Sequence, residues 1–284
     1  MKILKLLLKV FFSALLVFLF LPYIIAPVYR FTGSQPFSGD GFYNPYKNWK
    51  TLPHYKANFQ CHSNTWSFFA DGGTRTNSPE NILKRYKSYG YNIIGISNYM
   101  SMEPASHIPL YEHGWGIKKM HQLVAGSHSV MWLDFIYPFH ISHKQFMLNL
   151  LKTDENLLML SHPSWLNAYT YEDVKQLGNY DCMEILSTNK ESLALWDTAL
   201  SAGKPVFMTV NDDGHNVSNP EVTGRIFNVI AAENTAADRI ISAMQTGACV
   251  GYEVPLTADT AALMQYHKKL VIPEEILISE DTLM

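Results

Sequence analysis

Leu157-Leu158-Met159-Leu160-Ser161-His162-Pro163 is the stretch that decides the fold class. Four large apolar residues in a row, bounded by Ser-His-Pro, read as a strand buried on both faces, the kind found in sheets covered by helices. Similar short runs recur on either side: Ala57–Cys61, Asn92–Ser97, Gln122–Gly126, Cys182–Leu186, Pro205–Val210, Ile226–Ala231 and Ala248–Tyr252. Between them lie amphipathic helical patterns at Pro79–Tyr89, Lys144–Lys152, Ser192–Ala202 and Ala236–Thr246. The first has Ser78 as its cap and Pro79 in its first turn. Strands alternating with helices predict an α/β domain with a largely parallel sheet. So many units between residues 56 and 252 suit a compact, distorted barrel better than an open sheet.

Outside this region the chain changes character. Lys2, Lys5 and Lys9 precede an uncharged apolar stretch from Val10 to Tyr29, interrupted by Ser13, Pro22 and Pro27. About twenty such residues match the hydrocarbon thickness of a bilayer, so residues 1–29 are expected to be a retained signal anchor. A cleavable signal peptide is the rival, but Ile24-Ile25-Ala26 is a poor exit site. The lysines place the N-terminus in the cytoplasm and the domain outside it, a single-pass membrane protein. Residues 30–55, rich in Gly, Pro, Ser and Asn, read as a linker. Residues 253–284 read as a C-terminal extension, with Leu270–Ile278 extended like the start of an unfinished β unit.

Composition narrows the function. Of 284 residues, 47% are hydrophobic and 17% charged, which excludes a disordered chain. A net charge of -3 leaves no nucleic-acid footprint. Cys61, Cys182 and Cys249 are too scattered for a disulfide framework or zinc finger and read as buried thiols.

In α/β barrels, chemistry gathers just past the carboxyl ends of the strands. Those positions hold Gln60-Cys61-His62 with Ala70-Asp71-Gly72 in the following loop, Ser97-Asn98-Tyr99, Gly126-Ser127-His128, Ser161-His162-Pro163, Met183-Glu184-Ile185 and Asn211-Asp212-Asp213-Gly214-His215. Each taken alone has a bland explanation, a structural histidine or a turn aspartate. Glu184 is harder to dismiss, because a carboxylate in an apolar strand needs a partner. Together they form the imidazole and carboxylate mixture that borderline divalent metals prefer.

In their order these motifs resemble the PHP (polymerase and histidinol phosphatase) domain of metal-dependent phosphoesterases. That family carries H-x-H and S-D-G in the first unit, then T-D-H, G-x-E, H-P and G-S-D-x-H. The Ser78-Pro79-Glu80-Asn81 helix start, Gly90-Tyr91 and the Ala243–Gly247 helix end also look like the family. The resemblance spans residues 56–252 and implies a distorted (β/α)7 TIM-like barrel with up to three divalent metals at one face. It implies metal ligands at His62, Asp71, His162, Asp213 and His215, with His128 where the family has its bridging glutamate. A further family histidine corresponds to His140 or His143. Gln60, Tyr99 and Glu184 are additional candidates. Gln60, Asn98, Tyr99 and His128 depart from the family pattern, so one Mn, Zn or Fe ion is expected, with two or three as the upper limit.

The resemblance and the apolar N-terminus together imply a membrane-anchored phosphoesterase that hydrolyses a phosphate ester by metal-activated water. His128 or His162 would be the general acid, and Arg75 a phosphate contact. Phosphorylated small molecules or glycans are the expected substrates, with the bilayer a partner through the N-terminal helix. The alternative is a catalytically impaired relative that binds a glycan or nucleotide without turnover, using the aromatics Trp66, Phe68, Phe69, Trp115, Trp132 and Trp165.

Overall fold

The computed structural model describes residues 2–39, 41, 43–66, 77–188 and 190–278. Helix α1 (Lys2–Ile25) is followed by strand β1 (His54–Asn58), helix α2 (Pro79–Ser88) and strands β2 (Ile93–Ile94), β3 (Leu110–His113) and β4 (Gln122–Ala125). Next come α3 (Ile141–Leu151), β5 (Leu157–Leu160), α4 (Tyr171–Gln176), β6 (Cys182–Ser187), β7 (Lys190–Glu191), α5 (Leu193–Ser201) and β8 (Phe207–Val210). The chain continues through β9 (Ile226–Ala231), α6 (Ala237–Gln245), β10 (Cys249–Glu253) and α7 (Thr260–Lys268).

Among the described residues the strands form two sheets rather than one parallel barrel. One has the order β10-β9-β1-β2; the other runs β3-β4-β5-β6-β7, with β8 pairing β6. Several pairings are antiparallel: β1 with β9, β9 with β10, β3 with β4 and β4 with β5. The expectation of a largely parallel, closed (β/α)7 barrel is therefore corrected to a mixed α/β architecture. Its physical source lies in short connections. Only eight residues separate β3 from β4, too few for the crossover helix that a parallel neighbour requires. Two isolated bridges, Cys61 with Gly214 and Tyr99 with Glu112, span the seams between the sheets.

Local signals in the sequence explain most elements. Ser78 accepts a hydrogen bond from the Asn81 amide at 3.3 Å and Pro79 opens α2, as its sequence predicts. Thr170 and Asp173 form a capping box that starts α4. The apolar runs fill the core. Leu157, Leu158, Met159 and Leu160 of β5 are all buried, facing two different clusters on opposite faces of the sheet.

Beyond β10 the chain packs back on the domain: Leu263 of α7 is buried, and the Trp49 indole donates to the Pro273 carbonyl at 2.8 Å. Nearby, Lys56 is buried with its ammonium over the Phe227 and Tyr91 rings, donating to the Tyr89 carbonyl at 3.0 Å and touching His267. Burial pushes its pKa down to about 7. The unfolded chain holds that proton more tightly, so folding stability rises as pH climbs from 7 toward the unfolded value near 10. Lys56→Met should raise stability at neutral pH by about 1–3 kcal/mol. Thermal unfolding in detergent should show the gain at pH 7 shrinking toward pH 9.5. An equal or larger gain at high pH would contradict the assignment.

Candidate metal centre

The site lies where the two sheets meet. His62 follows β1, and its amide donates to the Gly214 carbonyl at 2.9 Å, which ties it to the loop after β8. Asp213 and His215 flank that glycine. Asn77 secures the same corner, its side-chain amide donating to the carbonyls of His62 and His215 at 2.6 and 2.8 Å. Across the seam stands Glu112, in the middle of β3 and fully buried.

Glu112 is the hub. Its Oε2 is 3.1 Å from His62 Nε2; its Oε1 is 2.8 Å from His121 Nδ1 and 3.3 Å from His162 Nε2. Gln60 Nε2 donates to the same Oε1 at 3.1 Å. On the other side, Asp213 Oδ1 lies 3.4 Å from both His62 Nε2 and His215 Nε2. Two ligand groups result, His62–Asp213–His215 and Glu112–His121–His162, each with its donor atoms within 4.8 Å of one another. The rings are held in place: His62 stacks between Tyr99 and His215, with centroids 4.5 and 4.4 Å away.

The second layer fixes the backbone. Glu184 accepts from the His162 amide at 2.7 Å and from Asn211 Nδ2 at 2.9 Å. His162 and Asp213 both sit at positive φ, 30° and 49°, a conformation that costs non-glycine residues energy and gathers at functional sites. Gly114, at φ 123°, lets β3 turn beside His121; a Cβ there would stand 2.9 Å from the Met120 carbonyl. Lys190 reaches in from β7, 2.7 Å from Asp213 Oδ2, with its ammonium 4.2 Å above the Trp165 ring.

Electrostatics separate the carboxylates. Burial pushes Glu112 and Asp213 up, but the imidazoles around them, and Lys190 beside Asp213, hold both well below the ordinary carboxylate range. Burial lowers His62, yet Asp213 and Glu112 override it and hold it at about 9. Glu184 and Asp212 behave oppositely, raised by burial to about 7 and about 8. The anionic pair therefore faces the centre, and the neutral-leaning pair supports from behind.

The donor set fits a divalent cation. His62 Nδ1 and Nε2, Glu112 Oε2, both ring nitrogens of His121, Asp213 Oδ1 and His215 Nδ1 are buried without an aligned hydrogen bond among the described residues. His62 Nε2 and Glu112 Oε2 are close yet misaligned for an N–H···O bond, so neither satisfies the other. Buried polar atoms left in this state are expensive, and imidazole plus carboxylate is a set that borderline divalent ions accept.

The expected residues divide accordingly. His62, His162, Asp213 and His215 come together, with Gln60 and Tyr99 against them and Glu184 behind. Asp71 and Arg75, with Phe68 and Phe69, lie outside the described residues. His128 is corrected: it is exposed, beyond Ala125 at the end of β4 that pairs with Leu157, whereas His162 follows the opposite end of β5. β4 runs antiparallel, so its carboxyl end points away from the site and its beginning, His121, points in. His140 and His143 are also corrected. His140 caps α3 through the Ser142 amide at 3.1 Å, and His143 stacks on Phe135 at 4.4 Å. Glu112, His121 and Lys190 are the functional residues that sequence reasoning missed.

Above the ligands opens a cavity of about 830 Å³. It is lined by His121, Asp213, His215 and Lys190 together with the aromatics Trp66, Tyr99, Trp115, Trp132 and Trp165.

No family model and no curated protein matches the chain. Solved structures do. A two-domain protein from Bacteroides vulgatus containing a predicted PHP-like metal-dependent phosphoesterase is similar at 14% identity, TM-score 0.51, over 80% of this chain and 70% of that one. PsfC from Pseudomonas syringae is 12% identical over 76% of this chain and 97% of that one, at TM-score 0.46. At 14% identity the first likeness is one of architecture, and by architecture the chain has a PHP-like fold in divergent form.

Proposed function

We propose that the protein is a membrane-anchored, metal-dependent phosphoesterase. The observation that carries this reading is the convergence of His62, His121 and His162 on the single buried carboxylate of Glu112, beside Asp213 and His215. A shared anionic ligand between two donor groups suits one ion or two adjacent ones, because it offsets their mutual repulsion. Mn, Zn or Fe bound there would polarise the phosphoryl group and lower the pKa of a water molecule. The chain's own residues then have distinct tasks. Lys190 and Lys119 face the cavity and offer positive charge and hydrogen bonds to phosphate oxygens. His162 is buried beneath, its Nε2 on Glu112, so it serves as a ligand rather than as an acid reaching a leaving group. Tyr99 takes the place of a further ligand and packs on His62 instead.

The anchor reading rests on α1, 24 residues long and without an acidic side chain, which at about 1.5 Å per residue can cross a bilayer. Its end is integrated with the domain. Tyr23 packs edge-on against Phe135 at 5.0 Å and accepts from the Tyr137 amide at 2.9 Å, and the Tyr29 amide donates to Ser142 Oγ at 3.0 Å. Cleavage after Ala26 would remove Tyr23 from that socket, which favours a retained helix. The positive residues before it put the domain on the extracytoplasmic side.

Metal analysis of the full chain in detergent, with a phosphomonoester assay, tests the reading. One or more equivalents of metal are expected, with activity abolished by a chelator and restored by added Mn. A protein that takes up no metal, or whose hydrolysis ignores the chelator, contradicts it.

A further inference from the structure

Resting on the phosphoesterase and anchor readings above, we infer that the cavity opens onto the membrane surface and takes the phosphate ester of a lipid headgroup. The cavity combines two chemistries: His121, Asp213, His215 and Lys190 of the centre line it together with indoles, of which Trp66 and Trp132 are exposed to solvent and Trp165 packs against His162 and Lys190. A ligand that fills it carries a phosphate at one end and an apolar body at the other. A sugar or nucleotide phosphate would also stack on indoles, but the position of the mouth favours a lipid.

Two of the wall residues belong to the surface on which α1 rests. Phe18 of α1 stacks on the Trp115 ring at 6.1 Å and 21°, and the Trp115 indole donates to the Trp132 carbonyl at 3.1 Å. Buried Asp134 holds this rim rigid, accepting from the amides of Trp115 and Gly116 at 2.9 and 3.0 Å. Phe18 lies seven residues before the end of α1, about 10 Å along the helix axis. The rim is thus level with the outer part of the anchor and cannot be held clear of the bilayer. That depth matches the roughly 5–10 Å to which interfacial apolar faces sink.

The surrounding surface has the matching composition. Ile117 is 68% and Phe139 74% exposed, and Trp132, Tyr137 and Leu166 are exposed beside them. Phe139 also contacts Tyr23 of α1, at 5.8 Å between ring centroids. Lys118 and Lys119 sit in the same loop, Lys118 donating to the Leu166 carbonyl at 3.4 Å. Aromatic and aliphatic side chains mixed with lysines, continuous with a transmembrane helix, are what a membrane–water interface selects. In the reaction, water's oxygen bonds to phosphorus as the ester P–O bond breaks. Inorganic phosphate leaves, and the lipid alcohol takes up the remaining proton.

The test uses the full chain reconstituted with Mn in phosphatidylcholine vesicles containing a minority of phosphatidic acid. Phosphate release is compared with that from soluble glycerol phosphate. The lipid is expected to react at least about tenfold faster at equal phosphate concentration. Ile117→Asp and Phe139→Asp, both outside the cavity, should erase that preference while leaving glycerol phosphate hydrolysis within about twofold. Equal rates on both esters, or rim variants without effect, overturn the inference but not the phosphoesterase reading. If neither ester reacts, the phosphoesterase reading is what fails. The rim is then judged by tryptophan fluorescence in chain-brominated vesicles. Quenching that falls in the two variants supports a membrane-seated mouth, and unchanged quenching rejects it.

Discussion

Glu112→Gln is expected to abolish metal binding while leaving the fold intact, and to lower phosphoester hydrolysis by about a thousandfold or more. The substitution keeps the shape of a side chain that is fully buried in β3, so packing survives. What it removes is the negative charge of the Glu112–His121–His162 group, whose second oxygen also lies 3.1 Å from His62 of the other group. It also places an amide among His62, His121, His162 and Gln60, which all approach as donors or ligands. A neutral hub does not offset repulsion between cations and is a poorer ligand than a carboxylate. Metal content by elemental analysis and circular dichroism of the same sample give the readout. The control is His128→Ala, which should behave as the parent because His128 lies at the opposite end of the sheet. A Glu112→Gln protein with full metal content would remove Glu112 from the centre.

Lys190→Met should cut kcat/KM by about a hundredfold while sparing most of the metal. Asp213 divides its two oxygens: Oδ1 faces the imidazoles and Oδ2 faces the Lys190 ammonium at 2.7 Å. The lysine therefore holds the carboxylate's orientation without occupying its ligand oxygen. Its ammonium also rests on Trp165 at the cavity wall, where an incoming phosphate would meet it. A desolvated charge-assisted contact to a phosphoryl group is worth several kcal/mol in the transition state. Lys190→Arg should recover part of the loss. Steady-state kinetics beside metal analysis decide the matter: a fall in metal content matching the fall in rate would reduce Lys190 to a prop for Asp213.

Physics decided which parts of the fold and site were legible in the sequence. The β5 run and its terminal His162 were readable because apolar residues and a functional residue stood in the order that parallel strands impose. The Ser78-Pro79 helix start was readable because capping is local. β3 was not, because Leu110-Tyr111-Glu112-His113 is half polar and lies just past a Pro-containing loop; its burial comes from the site itself, which supplies partners for Glu112. His121 was hidden by strand direction. The rule that chemistry gathers past the carboxyl end fails for an antiparallel strand, and it selected His128 in place of His121. Lys190 had no signal at all, since a lysine beside Glu191 in a two-residue strand looks like any solvated pair. The closed barrel failed for a related reason, in that apolar runs reveal strands but not which way a neighbour runs.

The most direct test of the central claim is anomalous diffraction from crystals of the full chain grown with Mn. One or two anomalous peaks are predicted between Glu112 and the imidazoles of His62, His121, His162 and His215, each within about 2.4 Å of its ligand atoms. Peaks located elsewhere on the surface, or none at millimolar Mn with these side chains well ordered, would contradict it.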